Sequence, residues 1–429
     1  MISSWFADVV LFASLIASLL AYLVVSRHDG SYFNVMSPLY IIHIPAYYFL
    51  PLFFNHVFGV GATSFAFIYV YATVAVENVA FAYAYTRRTR NIIRLPFRYA
   101  YNGFEALSFI FLALSVLMYA PILLQFPEYL LDPRQIYQHT RTGFGVNFYL
   151  SSTLAYLAVI LIQFSKRSMP VKGFVFLVAG VILSLHGAKG QVLSLILLLA
   201  LYEVYVRRKK FKLLQSLIAA AGLGVLIFLL FVASQALGDS PAEMLESISQ
   251  YSDYTRNAML VIDSHFPRQY GRLTLEAQII GRIPRVLWPG KPRNFGGLYL
   301  DDQFFPEALD EDIGAPDFGM GIEYADFGVF AIVYLAGMAV LRGWLARVFV
   351  RRLGYFNHPA DFFIVGILAG LSLFPVGGVG WFLPEALIVA FALRFASCLG
   401  ADTVYRERVR TKRMVLPSFS QSSDPAESV

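Results

Sequence analysis

Apolar runs of membrane length constrain this chain more than any other feature. A helix rises about 1.5 Å per residue, so about 20 apolar residues carry it across a hydrocarbon core of about 30 Å. Runs of that order cover Trp5–Val25, Ser37–Phe54, Thr63–Tyr85, Phe104–Leu124, Phe148–Phe164 and Leu213–Val232. Shorter ones cover Gly173–Leu185, Val192–Val206, Gly328–Leu345, Phe362–Phe374 and Trp381–Phe395. Only 14% of the 429 residues are charged and 58% are hydrophobic, with a mean hydropathy of +0.60. A soluble domain of this size needs about a quarter of its residues charged. The expectation is an all-α polytopic membrane protein with about eleven transmembrane helices. Trp5–Val25 lacks a basic leader and is long enough to span, so it reads as a retained first helix. The single cysteine, Cys398, excludes a disulfide framework and a cysteine metal site.

Charge between the runs sets the orientation. One set of connections carries Arg87, Arg88, Arg90, Arg94 and Arg98, then Lys166, Arg167 and Lys172, then the run from Arg207 to Lys212. Arg342, Arg347, Arg351 and Arg352 continue the set, and the tail adds Arg406, Arg408, Arg410, Lys412 and Arg413. The intervening short connections carry almost no Lys or Arg. Basic connections stay in the cytoplasm, which puts the N-terminus outside and the C-terminus inside. The net charge of +6 therefore reports topology and not nucleic-acid binding. The chain divides into helices 1–8 over 1–235, a large outer loop over 236–325, helices 9–11 over 326–400 and a tail over 401–429.

The outer loop is polarised. Its middle holds Arg268, Arg272, Arg282, Arg285, Lys291 and Arg293, with Glu276 as the only acid among them. Its end holds Asp301, Asp302, Glu307, Asp310, Glu311, Asp312, Asp317 and Glu323 without a Lys or Arg. Guanidinium groups bind phosphate oxygens bidentately and a nearby lysine adds a point charge, so the basic half fits an anion site. The competing reading is a solvated loop whose halves pair with each other. Within the basic half, the block from Gly281 to Pro292 contains Pro284, Pro289 and Pro292, which stop a regular helix and hold Arg285 and Lys291 in place. Trp288 suits the membrane interface.

Other polar residues are candidates of lesser weight. The link His186–Gln191 joins two runs too short to cross, so Lys189 is expected below the outer surface as a functional cation or as a snorkelling lysine. Arg134, His139 and Arg141 lie with Gly143 and Gly145 in another outer connection. Glu77 lies inside the third run and Glu385 near the outer end of the last; His43 reads as a satisfied intramembrane histidine. The Asp310, Glu311, Asp312 run offers oxygen ligands to a divalent ion, or is a solvated acidic loop. No metal-binding histidine pair, Walker loop, dinucleotide fingerprint or nucleophile elbow is present.

Ile283, Pro284, Arg285, Trp288, Lys291 and Pro292, together with Gly187, Ala188, Lys189 and Gly190, resemble two short motifs of the bacterial oligosaccharide repeat-unit polymerases. These are the Wzy-type O-antigen and exopolysaccharide polymerases. The resemblance extends to the helix count and the position of the loop. It implies a GT-C-like membrane fold in the bacterial inner membrane and a glycosyltransferase that works on the periplasmic face. Its substrates would be undecaprenyl-diphosphate-linked oligosaccharides, with a flippase and a chain-length regulator as further partners, and no cofactor or metal. Arg282, Arg285, Lys291 and Lys189, and next Arg141, would stabilise the departing diphosphate. His265, Asp317 and Glu323 are the candidates for a general base.

Three other classes compete. An O-antigen ligase or related oligosaccharyl transferase shares the donor and its electrostatic need. A lipid-linked sugar transporter predicts ionisable groups near the bilayer midplane, where Glu77 is the one clear acid. A membrane acyltransferase predicts a histidine site, for which His186 is the candidate.

Overall fold

The computed structural model describes residues 3–88, 103–130, 135–136, 144–187, 189–235, 252–283, 285, 287–307, 316–374 and 384–399. Regular structure among them is helical throughout. Helix α1 (Ser4–Asp29) begins where the Ser3 hydroxyl accepts from the Phe6 N–H and stops at Gly30, which takes a left-handed φ of 64°. The second apolar run is α2 (Ser37–Ile44), a π-helical turn at Pro45–Phe49 and α3 (Leu50–Phe58). Pro45 and Pro51 cannot donate to the helix ladder, and the π turn accommodates them without ending the span. Helix α4 (Ser64–Thr86) starts on the Thr63 hydroxyl, and α5 (Gly103–Gln125), α6 (Gly145–Phe164), α7 (Met169–Leu185), α8 (Lys189–Tyr205) and α9 (Leu213–Gln235) follow.

Among the described residues, six helical segments are long and apolar enough to cross a membrane: Ser4–Asp29, Ser37–Val57, Ser64–Thr86, Gly103–Gln125, Gly145–Phe164 and Gly321–Phe356. The protein is a multi-pass membrane protein. Helix α6 is its axis, with Ala155–Ile162 buried without a break. A helix that is apolar and covered on every side belongs in an interior. Small hydroxyl residues let α5 approach it closely: Ser108 Oγ donates to the Ala158 carbonyl and Ser115 Oγ to the Ser151 carbonyl, each at 2.7 Å. Gly343 does the same at the crossing of α4, where a Cβ would lie 2.4 Å from the Phe81 carbonyl oxygen.

The last third differs from the sequence expectation. The apolar run ending at Leu345 continues as α14 (Ala331–Phe356), so Arg342, Arg347, Arg351 and Arg352 are helical residues and not a connection. The helix runs on because Arg352 finds a partner. Its Nε lies 3.2 Å from Asp361 Oδ1 on α15 (Pro359–Leu368), and Arg394 on α16 (Pro384–Leu399) meets the same oxygen. Helix α15 has only 10 residues, all buried. That is about 15 Å of helix, half the thickness of a hydrocarbon core.

The long loop is itself folded. It forms α10 (Asp253–Asp263), α11 (Arg272–Ile279), α12 (Gly297–Phe304) and α13 (Gly321–Phe327). Val261, Leu273, Leu300, Phe318 and Ala325 make a small core of their own. Met259 and Ile262 pack onto Phe67 and Tyr71 of α4. Two aspartates fix the loop to the bundle and to itself. Asp263 accepts from Thr63 N–H at 2.8 Å and Thr63 Oγ1 at 2.6 Å, holding the residue that caps α4. Asp326 accepts from the N–H groups of Leu273 and Thr274 and so caps α11. Gly319, at φ 49°, has the Tyr254 carbonyl 2.6 Å from where a Cβ would be, so only glycine lets the chain lie so close to α10.

Candidate active site

A cavity of about 870 Å³ lies between the folded loop and helices α2, α4 and α14. Its loop end is lined by Arg285, Lys291, Asp301, Asp317 and Glu323, and its deep end by His43, Tyr47, Glu77 and Arg342.

The cations at the loop end are held by their own turn. The Lys291 N–H donates to the Trp288 carbonyl at 3.0 Å, closing a four-residue turn with Pro289 and Gly290 at its corners. Arg285 then reaches across, donating from Nη1 to the Lys291 carbonyl at 2.7 Å and from Nη2 to the Pro292 carbonyl at 3.2 Å. Lys291 Nζ donates to the Ile283 carbonyl at 3.0 Å and lies 4.6 Å from the centre of the Phe295 ring. Burial and then the charge of Arg285 lower the Lys291 pKa. Both cations are thus positioned by neutral carbonyls, which orient them without cancelling their charge. A guanidinium has five donors and an ammonium three, so donors remain on each for a ligand.

Three acids, Asp301, Asp317 and Glu323, line the same cavity. Asp317 accepts the Gly319 N–H at 2.8 Å; desolvation in the wall nonetheless raises its carboxyl pKa. Asp301 is only 2% exposed, and its Oδ1 has no hydrogen-bond partner among the described residues. Burial, then the negative charge of Asp317, pushes its pKa up to about 7. A carboxylate of that kind exchanges a proton near neutrality. The cavity therefore brings fixed positive charge and proton-accepting groups together. This arrangement suits a reaction in which an anion departs and a hydroxyl loses its proton.

Comparison with known proteins gives the family. The O-antigen polymerases of Salmonella typhimurium strain LT2 and of Salmonella typhi are each 35% identical over 393 residues, covering 90% of this chain and 93% of the relative. The chain belongs to the O-antigen polymerase family. It is accordingly a membrane glycosyltransferase of polysaccharide biosynthesis. No family model matches the sequence and no solved structure matches it.

Of the residues expected from the sequence, this member of the polymerase family brings Arg285, Lys291, Asp317 and Glu323 to one cavity. Arg282 does not line it; it pairs with Glu385 of α16 and donates to Gln278. His265 is exposed at the turn after α10, with Nδ1 2.9 Å from the Asp263 carbonyl oxygen, and also lies outside the lining. Lys189 opens α8, with its side chain outside the described set, and Arg141 and the Asp310–Asp312 run lie outside the described residues. His186 is fully buried, with Nε2 2.8 Å from Ser151 Oγ and Nδ1 2.7 Å from the Ile182 carbonyl, which is the environment of a structural histidine. Asp301 and Arg342 are the lining residues that sequence reasoning passed over. Asp301 is one of eight acids in its stretch, and Arg342 looked like the first of a basic cluster.

Proposed function

We propose that the cavity transfers a glycan from undecaprenyl diphosphate to the non-reducing sugar of a second lipid-linked repeat unit. Arg285 and Lys291 hold the donor diphosphate and neutralise the charge that grows on it as the anomeric C–O bond breaks. The acids Asp317 and Glu323 face the acceptor and take part in orienting and deprotonating its hydroxyl. Arg282 contributes at one remove, by tying the loop to α16 through Glu385. The observation that carries the reading is the carbonyl-braced pair Arg285 and Lys291 at the cavity wall, positively charged and without an acidic partner in the turn that holds them.

In this reading the loop end faces the periplasm and the basic end faces the cytoplasm of the inner membrane. The N-terminus is periplasmic, and eleven crossings are divided by the loop over 236–325. The donor arrives on the outer leaflet after a flippase, and a chain-length regulator sets when the polymer leaves. The test is complementation of a strain lacking the protein with Arg285→Ala. Surface polysaccharide is expected to carry single repeat units at normal protein level. A normal ladder of chain lengths overturns the assignment.

A further inference from the structure

Helix α11 is tied at both ends to helices of the bundle. At its start, Asp326 of α13 accepts from the N–H groups of Leu273 and Thr274 at 3.0 and 2.7 Å. The N–H groups of Gln269 and Tyr270, just before it, donate to the Ala325 and Asp326 carbonyls. Past its end, Arg282 pairs with Glu385, the second residue of α16. Exposed apolar residues follow each tie within about one helical turn: Val329 and Phe330 after Asp326, and Leu387 and Ile388 after Glu385. Helix α11 therefore lies at the level where the apolar outer surface of the bundle begins.

Three faces of α11 have partners inside the protein. Thr274, Ala277 and Gln278 line the cavity, and Leu273 belongs to the small core of the loop. Arg272 pairs with Glu276 at 2.7 Å and lies over the Tyr299 ring of α12. The fourth face carries Leu275 and Ile279, four residues apart and so one above the other on a helix; they are 60% and 54% exposed. Soon after, Leu287 is 77% exposed, and Trp288 beside it is exposed as well.

We propose that Leu275, Ile279, Leu287 and Trp288 form a membrane-surface anchor, seated in the headgroup and upper acyl region of the leaflet on the loop side. Exposed apolar side chains grouped in this way mark an interaction surface. Lipid is the occupant because both ties set α11 at the edge of the lipid-facing surface, where a second copy or a soluble partner has to displace lipid already there. An apolar helix face followed by a tryptophan and by Arg285, Lys291 and Arg293 has the composition that rests at this depth. The anchor does not depend on the glycosyl-transfer reading. Under that reading it adds a route: Arg285 lies between Ile279 and Leu287 in the chain, so the donor diphosphate meets it at headgroup level, from within the leaflet.

The test is the depth of fluorescent labels on the full-length protein in vesicles of phosphatidylethanolamine and phosphatidylglycerol. With the single cysteine removed by Cys398→Ser, a bimane is placed at Ile279→Cys, at Leu287→Cys or at Gln303→Cys, the last an exposed position on α12. The labels at 279 and 287 are expected to lose most of their emission to lipid carrying a nitroxide high on the acyl chain, and little to aqueous iodide. The label at 303 is expected to do the reverse. Quenching of 279 and 287 by iodide but not by lipid puts this face in water and overturns the proposal. Protection from both quenchers means that protein covers the face, and overturns it too. Equal quenching by lipid at all three positions overturns the assignment to this face. Two independent positions, both exposed, keep the result readable if one label disturbs the fold. Turnover plays no part in the readout, so failure of the anchor and failure of the glycosyl-transfer reading are told apart.

Discussion

The two ends of the helical bundle use the same charged residues in opposite ways. At the basic end, Asp361, Arg352 and Arg394 are 0%, 1% and 5% exposed, and both guanidiniums reach one carboxylate oxygen. In the cavity, Arg285 and Lys291 rest on carbonyls, and Asp301 has an oxygen without a partner among the described residues. A buried charge in contact with its counter-charge holds helices together, and removing one partner leaves the other stranded. A charge braced by neutral groups keeps its field for something that arrives later. Contact between opposite charges, more than burial, therefore separates the structural end from the chemical end.

The largest effect expected from breaking that contrast is at the structural end. Asp361→Ala strands two buried guanidiniums at a cost of about 3–5 kcal/mol, and the detergent-solubilised protein should run as aggregate on size exclusion. A monodisperse peak at wild-type yield would contradict the structural role. Next comes Arg285→Ala, which should lower turnover of a lipid-diphosphate oligosaccharide about 10²- to 10³-fold with an unchanged elution profile. The two variants thus separate loss of fold from loss of chemistry.

A smaller effect sharpens the acid wall. Asp301 holds its proton up to about 7 in the folded protein, against an ordinary carboxyl value of 3.8. Between those values the folded state binds more protons than the unfolded one, so stability falls as pH rises through the window. Asp301→Asn removes that contribution, and the thermal midpoint of the variant should depend less on pH than the wild type between about 4 and 7. Equal slopes for both proteins would place the Asp301 carboxyl in ordinary solvent. The smallest effect belongs to His265→Ala. His265 is exposed and off the cavity, so turnover should stay within about twofold of wild type, in the range of an ordinary surface substitution.

Much of the fold was legible because the membrane imposes a length on every crossing. Each apolar run expected from the sequence has a helix beneath it. The last third was harder. A hydropathy run ends where arginines begin, yet α14 continues through Arg342 to Arg352 because Glu77 shares its cavity and Asp361 pairs with its far end. Those partners come from other helices, so spacing along one segment cannot reveal them. The loop chemistry was legible in part for a similar reason. Pro289, Gly290 and Lys291 encode a local turn, and Arg285 is six residues from the carbonyl it binds. Arg282 belongs to the same run of residues, but its direction is set by Glu385, 103 residues away. Asp301 could not be told from its acidic neighbours until α12 buried it.

The most direct measurement is the position of the diphosphate itself, from an experimental structure of the enzyme with a lipid-diphosphate oligosaccharide bound. The diphosphate oxygens should lie within about 3 Å of donors on both Arg285 and Lys291, the distance of a charge-assisted hydrogen bond. A bound substrate whose diphosphate rests elsewhere, with both side chains still satisfied only by the carbonyls of their own turn, would contradict the account.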